Sequence, residues 1–164
     1  MRLKVLSLLA AVVLVAACES TPQSDGSAGA GGGATAGAAP VRTGPAPGSQ
    51  EDLVVNVGDR VFFGFDKFDL SPEARATLDR QASWLTQYPR VTVTVEGHAD
   101  ERGTREYNLA LAERRANSVK NYLLAKGVDA NRVATISYGK ERPAVLGSNE
   151  ASWAQNRRGV TVVN

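Results

Sequence analysis

The sequence predicts an α/β fold of the α+β kind, a two-layer β-α-β-α-β-(α)-β sandwich with helices on one face of a small mixed sheet. Three observations carry that prediction. Val91, Val93 and Val95 alternate with Thr92, Thr94 and Glu96, the period-two pattern of a strand with one buried face. Leu109, Ala112, Ala116, Val119 and Leu123 step by threes and fours, which lines up one apolar stripe on a helix. Both patterns fall within residues 51–164, enough chain for one hydrophobic core.

The elements follow in order. Residues 60–65 are apolar and aromatic and predict a strand, with Phe62, Phe63 and Phe65 as packing residues. Ser71 followed by Pro72 is an N-cap and a first-turn proline. Leu78, Ala82 and Leu85 then hold helical spacing as far as Tyr88-Pro89. The valine strand comes next, and after it the long helix, stopped by Gly127. Residues 133–138 predict a third strand, residues 150–156 a short helix and residues 160–163 a final strand. Trp84 and Trp153 are expected to pack on helix faces. Arg157 and Arg158 are expected to pair with a carboxylate near the sheet edge.

The first 50 residues obey different rules. Met1-Arg2-Leu3-Lys4 is a cationic start to a run of thirteen uncharged, mostly apolar residues, Val5 to Ala17, so residues 1–17 read as a signal peptide. A spanning helix needs about 20 apolar residues, more than this run supplies. Between Glu19 and Gln50, 26 of 32 residues are Gly, Ala, Pro, Ser or Thr; this composition cannot bury a core, and residues 18–50 read as a flexible linker. The chain carries 19 basic and 17 acidic residues, and removing Arg2 and Lys4 with the signal peptide leaves 17 of each. A neutral mature chain lacks the concentrated basic charge of a nucleic-acid binder.

Cys18 is the single cysteine, so it has no partner for an intramolecular disulfide. Val15-Ala16-Ala17-Cys18 resembles a bacterial lipobox, which implies cleavage before Cys18 and acylation of that residue. Several acyl chains make a stable anchor without a spanning helix. Glu19, rather than aspartate, follows the cysteine, and by the enterobacterial sorting rule this implies the outer membrane.

The polar run after the valine strand holds the candidate chemistry. Glu96, His98 and Asp100 would share one side if alternation continued, and this raises the alternative of a metal-dependent wall hydrolase. Gly97 interrupts the alternation, and His98 is the only histidine, which argues against a metal. No nucleophile elbow is present. Arg115 flanks the stripe of the long helix. Spacing alone leaves open whether it closes a salt bridge to Asp100 or Glu113 or stands apart from Asp100 as one half of a receptor for a zwitterion.

Residues 97–103 (Gly-His-Ala-Asp-Glu-Arg-Gly), followed by Tyr107-Asn108-Leu109 and Glu113-Arg114-Arg115-Ala116, resemble the signature of the OmpA-like peptidoglycan-binding domain. Residues 65–69, 138–147 and 156–158 extend the resemblance over nearly all of residues 53–164. Ala99 departs from the pattern, where threonine is frequent. The resemblance implies a non-enzymatic module without cofactor or metal that recognises meso-diaminopimelate in the stem peptide of peptidoglycan. Asp100 would accept hydrogen bonds from its ammonium and Arg115 would pair with its carboxylate. Phe68, Asp69, Gly97, His98, Asn108 and Leu111 are the supporting positions that it implies. Lipoprotein members of the family also meet TolB, the β-propeller protein of the Tol system. Glu101, otherwise read as solvated, is the residue assigned to that contact. The expected whole is an outer-membrane lipoprotein facing the periplasm, holding the wall noncovalently and working with Tol proteins in envelope constriction at division.

Overall fold

A computed structural model of the chain describes residues 44–164. The signal segment, Cys18 and nearly all of the expected linker lie outside the described residues. The chain enters the fold through a short helix, α1 (Gln50–Asp52), that continues as a π-helical turn (Leu53–Val57). The elements that follow are β1 (Arg60–Phe62), α2 (Pro72–Gln87), β2 (Val93–His98), α3 (Arg105–Ala125), a 3₁₀ turn (Ala130–Arg132), β3 (Val133–Gly139), α4 (Glu150–Asn156) and β4 (Arg158–Val163).

The helices begin where local chemistry satisfies their free N–H groups. Ser71 Oγ accepts from Ala74 N at 3.2 Å to open α2, with Pro72 at its first position. Thr104 Oγ1 accepts from Tyr107 N at 3.2 Å to open α3. Asn149 Oδ1 accepts from Ser152 N at 3.0 Å to open α4. Beyond α3, Gly127 takes a left-handed conformation (φ 94°) that lets the chain turn back toward β3.

Among the described residues, four strands form one mixed sheet in the order β1-β4-β2-β3. β4 runs antiparallel to both β1 and β2, and β2 runs parallel to β3. Val61, Val93, Val95 and Val133 project from the sheet into a single core with Leu78, Ala82 and Leu85 of α2 and Ala116, Val119 and Leu123 of α3. Both long helices therefore lie on one face, in two layers, as expected.

Three expectations need correction. β1 stops at Phe62, short of the expected end at residue 65, because the chain turns through Gly64–Lys67, where Asp66 adopts a positive φ of 56°. Alternation sends Val61 and Phe63 into the core and leaves Phe62 outside, while Phe65, beyond the strand, is 61% exposed. β4 starts at Arg158 and lies inside the sheet, so the expected edge position of Arg158 does not hold, whereas Arg157, just before the strand, does pair with carboxylates. Arg158 donates to the carbonyls of Asn156 and Arg142 rather than to a carboxylate. Finally, α1 and its π-turn have no counterpart in the periodicity.

α3 crosses the sheet over β2 and β3, and Gly97 sets how closely it does so. A Cβ at that position would sit 1.9 Å from the carbonyl oxygen of Ala112, so only glycine admits the helix at this separation. Arg115, one turn beyond Ala112, is thereby carried against the end of β2.

Candidate functional site

The site lies where the loop after β2, the start of α3 and the turn after β1 meet. Arg115 is 0% exposed, and its guanidinium is fixed by backbone oxygens. Nε donates to Lys67 O at 2.8 Å, Nη1 to His98 O at 2.8 Å and Nη2 to Gly64 O at 3.1 Å. Arg115 closes no salt bridge to Asp100 or Glu113, so that alternative does not hold. Three of its roughly five N–H donors are used, and a hydrogen remains on each Nη nitrogen. Burial pushes its pKa down to about 10, against the opposing pull of the Asp100 charge, so it remains cationic at neutral pH.

Asp100 is 5% exposed and stands just beyond the C-terminal end of β2. Burial would raise its pKa. The hydrogen bonds from the side chain and backbone of Arg102, the Arg102 charge and the bond from Arg157 outweigh burial and hold it below the usual carboxylate range. Asp100 is therefore an anion at neutral pH. Both charges border one cavity of about 250 Å³. Asn108 and Leu111, on the first turns of α3, line it with them. Asn108 Nδ2 donates to Arg102 O at 2.8 Å and fixes the loop against the helix.

Four other implied positions are not brought to this cavity. Phe68 is partly exposed under Arg114, whose guanidinium carbon lies 5.8 Å from its ring centre, and Asp69 is exposed in the loop before α2. The close approach at Gly97 is to α3, not to open space. His98 contributes its carbonyl to Arg115, while its ring packs 5.6 Å from that of Tyr138 and its Nε2 lies 3.4 Å from Glu96 Oε2. Burial first, and then the Arg158 charge, pushes the His98 pKa down to about 4, so the ring is neutral at physiological pH.

Glu96, His98 and Asp100 do not converge as the metal alternative requires. The register of β2 against β3 shifts between Gly97 and His98, and Asp100 is held by two arginines. Among the described residues, no cluster of three His, Cys, Asp or Glu side chains is placed to hold a metal.

The structure adds residues that sequence reasoning missed or misplaced. Phe65, Asp66, Arg102 and Tyr107 also line the cavity. The Tyr107 hydroxyl donates to Asp66 Oδ1, which ties α3 to the turn after β1. Arg102 bonds Asp100 through Nη2 at 2.6 Å and Nε at 3.2 Å, and its guanidinium carbon lies 4.1 Å from the ring centre of Phe65 and 4.0 Å from that of Trp153. Trp153 is thus one wall of a cation sandwich instead of a packing residue, and its Nε1 donates to Glu101 Oε1 at 3.0 Å. Glu101 is accordingly hydrogen-bonded as well as exposed. Arg157 pairs with Asp100 at 3.4 Å and with Glu150 at 2.7 Å. The motif itself offered one signal for Arg102, two residues after an aspartate and able to return to it. Its aromatic walls, far away in the chain, offered none.

Known proteins share this arrangement of elements. A solved structure titled as the peptidoglycan-associated lipoprotein of Burkholderia pseudomallei is 42% identical; the match covers 65% of this chain and 90% of that one, with a TM-score of 0.63. A curated relative from Rhizobium meliloti, named peptidoglycan-associated lipoprotein, is 58% identical over 117 residues, 71% of this chain and 66% of its own length. One of the same name from Agrobacterium fabrum is 50% identical over 145 residues, 88% of this chain and 77% of its own. The profile of the OmpA family matches residues 62–157, and with these relatives it establishes that the chain belongs to the OmpA family.

Proposed function

We propose that this chain is an outer-membrane lipoprotein that binds peptidoglycan noncovalently, with the meso-diaminopimelate head group of the stem peptide seated between Asp100 and Arg115. The observation that carries this reading is that a buried anion and a buried cation border one cavity without pairing with each other. Two buried opposite charges normally neutralise one another by contact, because each left alone loses its hydration. Here Arg115 is held by carbonyls and Asp100 by other cations, so neither spends its charge on the other and both border a shared space. The names carried by the relatives agree with a wall-associated role.

In this reading the guest's ammonium donates to the Asp100 carboxylate and its carboxylate takes the remaining N–H groups of Arg115. The planar guanidinium suits a carboxylate because two parallel bonds can form, whereas lysine would present a point charge. Asn108 and Leu111 shape the wall around the guest's carbon chain. The module binds and does no covalent chemistry. Cys18 acylation would anchor it, and residues 18–50 would supply the reach between membrane and wall. The exposed rim at Glu101 is the proposed contact for TolB, through which the chain would join the Tol system in constriction at division. No helix among the described residues is long and apolar enough to cross a membrane.

Sedimentation with purified peptidoglycan tests this reading. The native protein should co-sediment, and Asp100→Ala and Arg115→Lys should remain in the supernatant while melting as cooperatively folded proteins. Unimpaired co-sedimentation of both variants would place the wall-binding site elsewhere.

A further inference from the structure

Asp100 is already occupied. Its Oδ1 accepts from Arg102 N at 3.1 Å and Arg102 Nε at 3.2 Å, and its Oδ2 accepts from Arg102 Nη2 at 2.6 Å and Arg157 Nη1 at 3.4 Å. A carboxylate has about four lone-pair positions, so these bonds leave no free place for an incoming cation. We infer that Arg102 is a specificity-determining residue of this cavity: its guanidinium stands on Asp100 as a built-in stand-in for the guest's ammonium, and a guest takes that half of the site only by exchanging with it. The inference rests on the reading of Asp100 and Arg115 as a receptor for a zwitterion.

The geometry says which cation leaves. The side chain of Arg157 is 7% exposed and also donates to Phe63 O and Glu150, so it is built into the fold. The side chain of Arg102 is 31% exposed and lines the cavity. Its other holds are the faces of Phe65 and Trp153 and the Glu150 carboxylate at 3.8 Å, all of them near the surface. Withdrawing its guanidinium still leaves the backbone N–H of Arg102 on Oδ1 and Arg157 on Oδ2, so Asp100 keeps its position and its charge. Exchange therefore vacates two bonds without loosening the loop, and an ammonium can refill them.

Selectivity follows. A guest that offers a carboxylate alone can reach Arg115 but cannot displace one cation with another. It meets a filled half-site, and its own anion faces Asp100. A guest that carries an ammonium beside its carboxylate replaces Arg102 bond for bond. The apparent affinity of that guest is lowered by the fraction of time Arg102 holds Asp100, so removing the Arg102 charge should strengthen binding, the opposite of what damage to a binding site does.

The test compares the full-length protein with Arg102→Gln. Each is titrated with a diaminopimelate-containing muropeptide and with the same muropeptide acetylated on its free amine, and tryptophan emission is followed alongside. Arg102→Gln should bind the amine-bearing muropeptide on the order of tenfold more tightly and show no gain for the acetylated one. In the native protein, Trp153 emission should change on binding as Arg102 leaves its ring. That change should vanish in Trp153→Phe, because Trp84 is buried in the core on Asp52 and gives a constant background. If Arg102→Gln fails to fold, Arg102→Lys, which keeps the charge but loses the planar two-point hold, should show a smaller gain of the same sign. Equal or weaker binding by the variants, or native Trp153 emission that ignores the guest, would overturn the inference while leaving the receptor reading intact. Native protein that binds neither muropeptide, or binding that survives Asp100→Asn and Arg115→Lys, would overturn both.

Discussion

Two buried aspartates near tryptophans, one at each end of this fold, do opposite work. Asp52 accepts from Gly48 N at 2.9 Å, Asn56 Nδ2 at 2.7 Å and Trp84 Nε1 at 2.9 Å, and these neutral donors hold its pKa below the usual range. They join α1 to α2 and leave nothing to exchange. Asp100 is equally buried and its pKa is also lowered, but its partners are two arginines, one of them near the surface, and a third arginine faces the same cavity. Cavity size does not separate the two places. The groove beside Asp52 is about 500 Å³, twice the volume at Asp100, yet its arginine, Arg80, is exposed and spent on Val57 O, Ala76 O and Thr77 Oγ1. Burial and a shifted pKa mark a well-made polar knot. A site additionally needs opposite charges that border common space without pairing with each other, and a partner able to leave.

Arg115→Ala should produce the largest change. It removes the cation and orphans the carbonyls of Gly64, Lys67 and His98, so muropeptide binding should vanish and unfolding free energy should fall by about 3 kcal/mol or more. Denaturant unfolding beside calorimetry would read both effects. Acid titration of the native protein comes next. The unfolded chain protonates His98 near the ordinary 6.5, whereas in the fold the ring stays neutral until about 4. The unfolded state therefore binds more protons in that window, and stability should drop as pH falls from about 6.5 to about 4, by on the order of 3 kcal/mol. Asp100, with its depressed pKa, adds a further loss only below its ordinary value of 3.8. His98→Gln should flatten the upper part of the curve, and an unchanged slope would contradict the burial argument. Asp100→Asn should weaken muropeptide binding by about 1.5 to 3 kcal/mol, roughly tenfold to a hundredfold in Kd, with cooperative melting retained. The smallest effect on binding belongs to Asp52→Asn. It should lower the melting temperature by disturbing the α1–α2 junction while leaving the Kd of the folded protein unchanged. A shifted Kd would mean that the two ends are coupled.

These contrasts also explain what could be read in the chain before the structure. Capping and periodicity placed α2, α3 and β2 because those signals are local: Ser71-Pro72 at one helix start, the three-four stepping of α3 and the alternating valines. The π-turn, Leu53 to Val57, has neither period; what ties it down is tertiary, with Leu53 buried in the core and Asp52, just before it, bonded to Trp84 on another element. At the site, Asp100 and Arg115 were legible through the motif, but the state of Arg115 was not, since the backbone carbonyls that fix it leave no trace in side-chain identity. The clamp on Arg102 joins Phe65, Arg102 and Trp153, which only the tertiary fold assembles. Phe65 was assigned to the core on hydrophobicity and instead serves a cation at the surface, and Trp153 was likewise misread.

The central claim is that one zwitterionic head group is held at both ends, and titration with two muropeptides that differ only in that head group tests it most directly. Saturable heat with the meso-diaminopimelate form, and its loss with the lysine form, which keeps an ammonium but lacks the second carboxylate for Arg115, is the predicted result. Equal affinity for the two forms would show that Arg115 receives no carboxylate and would contradict the account.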